Sequence, residues 1–167
     1  LRRIDVTPTT SAEFMLSHAL SNMVTALLQA IIVFATAYLM GFHSQASVLG
    51  VALAFVICLI FSLCNVGFGL ITATIAKSEG AATGIAFMFV LPQMFLGTFV
   101  GLAMSGIAQF IGRFVPSYYV TDALTSLLLR GAPITSSAIL LDLLIVSVAS
   151  LLVLFAGIIL FRKFGRA

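Results

Sequence analysis

The chain has 167 residues, of which 62% are hydrophobic and 8% are charged, and its net charge is +3. Soluble globular domains carry about 25% charged residues, so this composition excludes a soluble domain and predicts an integral membrane protein. We interpret the positive net charge as a feature of the cytoplasmic side of a membrane protein in a lipid bilayer and not as a nucleic-acid-binding surface. Five of the eight basic residues flank apolar segments at the two ends, as on the cytoplasmic side of a membrane: Arg2, Arg3, Arg162, Lys163 and Arg166.

The first predicted element is a helical hairpin. No Asp, Glu, Lys or Arg occurs in the 63 residues from Phe14 to Ala76. A straight helix of that length would be about three times as long as the hydrocarbon core is thick, so the chain must fold back. The polar segment GFHSQAS, residues 41–47, lies in the middle of this run. We therefore predict spans at residues 11–40 and 48–76, with Thr10 and Glu13 forming a capping box before the first.

A third and a fourth span follow the hairpin. Lys77, Ser78 and Glu79 form a charged turn in which Ser78 is predicted to cap the next helix. The third span covers residues 80–104 and the fourth covers residues 138–161. The basic residues place both ends of the chain in the cytoplasm. The prediction is an all-α, multi-pass protein of the plasma (inner) membrane with four transmembrane helices.

The third span is interrupted by Pro92, which cannot donate a backbone hydrogen bond, so we predict a kink or break there. Broken helices often line transport pathways, although a simple packing kink is the alternative. Glycines spaced four residues apart, Gly80 with Gly84 and Gly97 with Gly101, permit close contact with other helices.

Two short amphipathic helices are predicted on the outer side, between the third and fourth spans. In the second of them, after Pro116, the pattern places Asp122 in the first turn and Arg130 in the last, and Gly131 ends the helix. Both helices are too short to cross a bilayer, so they should lie in the interface or dip partway into it. Their apolar stripes follow helical spacing: Ile107, Phe110, Ile111, Phe114 and Val115, then Val120, Ala123, Leu124, Leu127 and Leu128.

The polar residues do not indicate an enzyme or a metal site. His18 and His43 are 25 residues apart, which is about 37 Å along a helix, so they lie on opposite sides of the bilayer. The sequence contains no metalloprotease, nucleophile-elbow or phosphate-loop motif. Asp142 is the one carboxylate inside a predicted span. It either contacts a substrate or gate, or pairs with Arg113 or Arg130 near the interface.

The order of these elements resembles a known family. The segments that carry the resemblance are VTPTTSAEFMLSHAL, GFGLITATIAKSEGAA, LPQMFLGTFVG, FVPSYYVTDALTSLLLRG and FRKFGRA. Together they resemble the C-terminal two-thirds of the permease subunit of ATP-binding-cassette (ABC) exporters of the type-2 class. The resemblance extends over residues 1–167 as one transmembrane domain. It implies a six-helix permease whose first two spans would precede Leu1.

The resemblance also implies partners. ATP and Mg would bind to a separate ABC ATP-binding subunit, and this chain would bind no cofactor. The cytoplasmic segment before the first helix would contact that ATPase, through Arg2, Arg3 and Asp5. A homodimer or pseudo-dimer of permeases would form the pathway at its interface.

Two sets of site residues follow from the resemblance. Re-entrant outer elements at residues 98–131 would close the exit, and the outer-gate residues would be Arg113, Pro116, Asp122 and Asp142. Substrate contacts would come from the first two spans and the broken third, and each candidate could instead be ordinary helix packing: Asn22, Gln29, Asn65, Pro92, Gln93 and Phe95.

The predicted function is that of a permease subunit in an ATP-driven exporter, which moves a drug, a lipid or another amphiphile out of the cytoplasm. The alternative is an ATP-independent secondary transporter or channel subunit. Ion coupling normally uses ionisable residues at mid-depth in the membrane, and the uncharged hairpin has none. The sequence therefore favours an energy source on a partner protein.

Overall fold

The computed structural model describes residues 11–99 and 106–164, and the regular structure in those residues is helical throughout. The α-helices are α1 (Ser11–Leu39), α2 (Val48–Ile75), α3 (Glu79–Pro92), α4 (Ile107–Gly112), α5 (Pro116–Leu128) and α6 (Ser137–Phe164). A π-helical segment, Gln93–Phe99, continues α3 without a break. Four helices are long and apolar enough to cross a membrane: Ser17–Leu39, Val48–Ile75, Glu79–Gly97 and Ser137–Phe164. The predicted all-α fold with four membrane spans is confirmed.

The helix ends follow from local capping. The Ser47 hydroxyl accepts a hydrogen bond from the Gly50 amide at 3.1 Å at the start of α2. The Ser78 hydroxyl accepts one from the Ala81 amide at 3.2 Å, which confirms the predicted cap of α3. The chain folds back after α1 through Gly41, whose φ of 94° suits only glycine. The predicted capping residue Thr10 lies outside the described residues.

The best-packed part of the molecule lies where α2 meets α5 and α6. α2 and α6 make the most extensive contact between any two helices described. The residues that form the hydrophobic core in this region come from all three helices: Ala54, Ile57, Val120, Ala123, Leu127, Ile139 and Val146. Apolar side chains that are buried against one another exclude lipid and water from the crossing, so this region holds the remaining helices in place.

Two glycines allow the backbones of α2 and α6 to touch. A Cβ atom on Gly67 would lie 2.7 Å from the Val153 carbonyl oxygen, and a Cβ on Gly157 would lie 2.7 Å from the Gly67 carbonyl oxygen. Such close contact is typical of membrane helices, which associate through van der Waals packing. At the predicted contact positions Gly80 and Gly84, an added Cβ would meet no described atom within 4 Å. The close helix contact predicted there is therefore not made with any residue that the structure describes.

Helix α5 is re-entrant, and it enters the protein core. Its N-terminal end contacts the π-helical segment, where the Ser117 hydroxyl donates to the Gln93 carbonyl oxygen. Its C-terminal end contacts the loop between α1 and α2, where the Gln45 amide donates to the Leu128 carbonyl oxygen at 3.0 Å. α5 therefore packs between the spans. Phe110 in the shorter α4 and Phe114 just after it are exposed.

The predicted charges at the ends of α5 require a correction. The helix begins at Pro116 and ends at Leu128, so neither Asp122 nor Arg130 lies in a terminal turn. The apolar stripe had placed the helix start too late, because Pro116 itself occupies the first turn. Asp122 and Arg130 instead form an ion pair with 3.9 Å between Oδ1 and Nη1. Both side chains are partly exposed, so the pair contributes little stability.

Candidate substrate pathway

Two clefts open on either side of Asn65 in α2. The larger cleft, with a volume of about 670 Å³, lies between α2, α3 and the start of the π-helical segment. Its lining is mainly apolar and includes Phe61, Phe68 and Phe89, and the rings of Phe68 and Phe89 stack with centroids 4.8 Å apart. This volume and this apolar lining with aromatic side chains are typical of small-molecule sites. We call it the aromatic cleft.

The smaller cleft, with a volume of about 280 Å³, lies between α1 and α2. Amide, hydroxyl and imidazole side chains line much of it, so we call it the amide cleft: His18, Asn22, Thr25, Gln29, Ser62 and Asn65. Part of this polarity is satisfied along the helices. The Asn22 side-chain nitrogen donates to the His18 carbonyl oxygen at 2.8 Å, and the Thr25 hydroxyl donates to the Ser21 carbonyl oxygen at 2.9 Å. Among the described residues, the amide oxygens of Asn22, Gln29 and Asn65 accept no hydrogen bond, so they could meet a ligand.

Asn65 and Gly69 connect the two clefts, since both residues line both of them. They are one helical turn apart on an exposed part of α2. A Cβ on Gly69 would meet no described atom within 4 Å. The absence of a side chain at Gly69 therefore leaves open space beside Asn65 at the boundary of the two clefts, which we call the passage.

The third span borders the aromatic cleft at Gln93. A kink or break was predicted at Pro92; the helix instead continues through it and changes there from α-helix to the wider π-helix, which begins at Gln93. The backbone carbonyl oxygen of Gln93 accepts from the Ser117 hydroxyl at 2.7 Å. In the part of the chain that the structure describes, the buried Oε1 of Gln93 has no hydrogen-bond partner. An acceptor left in this state is a preferred position for a ligand donor.

The contact between the π-helical segment and α5 depends on Gly97. A Cβ at this position would collide with Ser117 Oγ and would lie 2.6 Å from Ser117 Cβ. Gly97 belongs to a predicted small-residue pair, and its close contact is confirmed; its partner Gly101 lies outside the described residues. The broken helix and the re-entrant helix are thus joined by a tight contact and a hydrogen bond.

The structure brings together four of the six predicted pathway residues. Asn22, Gln29 and Asn65 line the amide cleft, and Asn65 and Gln93 line the aromatic cleft. Gln29 also borders an apolar cleft of about 350 Å³ between α1, α2 and α5. Pro92 and Phe95 are exposed and line none of these three clefts.

The predicted outer-gate residues occupy different positions along the re-entrant region and α6. Pro116 is the first residue of α5, and the exposed Arg113 accepts a hydrogen bond at its carbonyl oxygen from the Tyr119 hydroxyl at 2.9 Å. Asp122 pairs with Arg130. Arg2, Arg3 and Asp5, predicted to contact the ATPase, lie outside the described residues.

Asp142 is not paired as the interfacial alternative predicted. Its side chain is 7% exposed, and its Oδ2 has no hydrogen-bond partner among the described residues. Arg130, which follows the end of α5, pairs with Asp122 instead. Asp142 lies on the stripe of α6 that enters the core, between the buried Ile139 and Val146. A carboxyl group at such a position is costly unless another group reaches it.

Several residues of the clefts were not singled out from the sequence. Phe61 and Phe68 lie four residues before and three residues after Asn65, so helical spacing alone would have placed them on its face. Gly69 follows the same rule. Ser117 had no such signal, since nothing in the sequence brings the start of α5 to the third span.

The fold defines a polytopic helical membrane protein in which the third span changes from α-helix to π-helix beside a largely apolar cleft. A model of the ABC-2 type transporter family matches residues 1–129. The chain therefore belongs to the ABC-2 type transporter family. Comparisons with curated proteins and with solved structures gave no match.

Proposed function

We propose that this chain is the permease part of an ATP-driven exporter that moves a drug, a lipid or another amphiphile out of the cytoplasm. ATP and Mg bind on a separate ABC ATP-binding subunit, and two permeases assemble into a dimer or pseudo-dimer in the plasma (inner) membrane. Both ends of the segment face the cytoplasm, where the stretch with Arg2, Arg3 and Asp5 contacts the ATPase. Membership of the ABC-2 family supports the choice of partner.

The single observation that carries the proposal is the aromatic cleft, which opens between α2 and the broken third span of a family member. Its apolar walls suit the hydrocarbon part of an amphiphile, while Asn65 and Gln93 supply the few polar groups that orient a ligand. Movement of the π-helical segment would change this cleft, and the Ser117–Gln93 hydrogen bond would transmit that movement to α5. ATP-driven closure of the partner subunits thereby opens the outer gate.

The test uses the full-length protein with its ATPase subunit in inverted membrane vesicles. We expect ATP-dependent accumulation of a fluorescent amphiphile, and we expect Gly69→Leu to reduce it about tenfold because leucine fills the passage between the clefts. Gly84→Leu is the matched control, since Gly84 is also helical, exposed and open to an added Cβ but lines none of the three clefts. Both variants replace glycine with a better helix former, so both should fold.

Two results would count against the proposal. Transport that persists without ATP and follows an ion gradient would establish a secondary transporter or channel instead. Equal transport by Gly69→Leu and Gly84→Leu would show that substrate does not use the passage at Asn65.

A further inference from the structure

The amide cleft and the aromatic cleft differ in chemistry but share Asn65 and Gly69. The amide cleft offers donors and acceptors side by side, because each Asn or Gln side chain carries both an N–H₂ group and a carbonyl oxygen. The aromatic cleft offers phenylalanine rings and the buried, unpartnered Oε1 of Gln93. One ligand that spans Asn65 would meet both surfaces.

We propose that the two clefts form a bipartite site for an amphiphile with an uncharged, hydrogen-bonding head group, such as a glycosyl or polyhydroxyl group. The head occupies the amide cleft, the hydrocarbon part lies against Phe61, Phe68 and Phe89, and a hydroxyl or amide donor between them reaches Gln93 Oε1. This inference rests on the proposed function, since it specifies the substrate class of the same cleft.

The preference for an uncharged head follows from the charges. Among the residues that the structure describes, neither cleft is lined by Asp, Glu, Lys or Arg. A charged head would lose its hydration without gaining a counter-ion. Phenylalanine faces attract cations, but only weakly compared with the loss of hydration of a buried charge. His18 is the titratable side chain that lines the amide cleft, and it is exposed.

A hydroxyl-bearing head matches the amide cleft in a way that a purely apolar ligand does not. Hydroxyl groups both donate and accept, so they pair with amides without leaving either side unsatisfied. An apolar group in the same place would bury the Asn65 and Gln29 amides without partners. The Gln93 Oε1 atom adds a specific requirement for a ligand donor in the aromatic cleft.

The experiment measures equilibrium binding to the full-length protein, assembled with its ATPase subunit in nanodiscs, without ATP. Three fluorescent probes carry the same dodecyl chain and differ in the head: glucosyl, trimethylammonium or sulfate. We expect the glucosyl probe to bind about tenfold more tightly than either charged probe, as two or three additional hydrogen bonds would provide. Fluorescence anisotropy gives the three dissociation constants.

Substitutions test whether the preference for the glucosyl probe arises from the two clefts. Asn65→Leu should weaken glucosyl-probe binding about fivefold and change binding of the charged probes little, because it removes hydrogen bonds and leaves the apolar walls intact. Gln93→Leu, which removes the buried acceptor, is the second variant. Gln45→Leu is the matched amide-to-leucine control, since Gln45 lies in the α1–α2 loop outside all three clefts and should leave every constant unchanged.

The inference is wrong if a charged probe binds as tightly as the glucosyl probe, or if Asn65→Leu weakens all three probes equally. The same experiments test the proposed function independently of this inference. Preferential binding of the glucosyl probe without ATP-driven transport of any probe would support the site and contradict the exporter. ATP-driven transport without head-group preference would support the exporter and contradict the site.

Discussion

The two faces of α2 differ in what they contact, and two glycines, two residues apart in the sequence, mark the difference. Gly67 faces α6, where a Cβ would lie 2.7 Å from backbone atoms, whereas Gly69 faces the clefts, where a Cβ would meet no described atom within 4 Å. The same residue type thus permits backbone contact on one face and leaves space on the other. One side of the molecule is built for rigid packing, and the side with α1 and α3 is built for access.

The largest expected effect is on the packed face. Gly67→Leu should destabilise the protein by about 3 kcal/mol or more, because the side chain would overlap the backbone of α6 at Val153 and Leu154. Thermal unfolding of the full-length protein in nanodiscs, followed with a thiol-reactive maleimide dye, measures the change. The partly exposed Cys58 is replaced by serine in every variant, so that the signal comes from the fully buried Cys64, which reacts only after unfolding. Gly69→Leu is the control, and equal melting of the two variants would remove the distinction between the faces.

A smaller effect is expected where the packed and open sides meet, at Gly97. Gly97→Ala should destabilise the protein by about 1–3 kcal/mol, because the methyl group displaces Ser117 and breaks its hydrogen bond to Gln93. Ser117→Ala removes that hydrogen bond without the collision and should cost only about 1 kcal/mol. Gly84→Ala provides the control at an open helical position. If Gly97→Ala melts like Gly84→Ala, α5 does not depend on this contact.

On the packed side, replacing Asp142 should stabilise the protein, whereas the substitutions above destabilise it. Asp142→Val removes a buried carboxyl group with an unpartnered Oδ2 and should raise the free energy of unfolding by about 1–2 kcal/mol. The dye assay measures it, together with ATP-dependent transport. A stabilised variant that transports normally would show that Asp142 has no role in the gate; destabilisation would show that another group pairs with Asp142 in the native protein.

The smallest effect is expected at the exposed ion pair. Asp122→Asn should change the free energy of unfolding by about 0.5 kcal/mol or less, because Asp122 and Arg130 are both partly exposed and 3.9 Å apart. A change as large as that of Gly97→Ala would mean that the pair is enclosed in the assembled transporter.

Helices whose sequence pattern is periodic and whose ends carry caps were predicted well. The four spans, the turn at Ser78, the change at Pro92 and the apolar stripe of α5 all follow from residues close together in sequence. Contacts between distant segments were not predictable in this way. Gly67 and Gly157 have no local pattern that pairs them, and Ser117 reaches Gln93 only because α5 turns back into the bundle.

The predicted pathway residues line the clefts where they share a helix face. The predictions that depended on contacts between distant segments were not met. Asn22, Gln29 and Asn65 come together because the hairpin brings α1 against α2. Phe95 does not join them; it lies in the π-helix after Pro92, where the rotation per residue differs from that of an α-helix. The interfacial pairing of Asp142 was wrong because Arg130 lies beyond the end of α5, next to Asp122.

The Gly67–Gly157 crossing also bears on the order in which the protein is made. Segments synthesised first begin to fold first, yet α2 ends at Ile75 and its main partner α6 begins only at Ser137. During synthesis the groove at Gly67 must therefore face lipid, or a membrane chaperone, until α6 is inserted. The crossing that fixes the finished molecule is among the last contacts to form, so a ribosome stalled before α6 would leave a hairpin with one uncovered side.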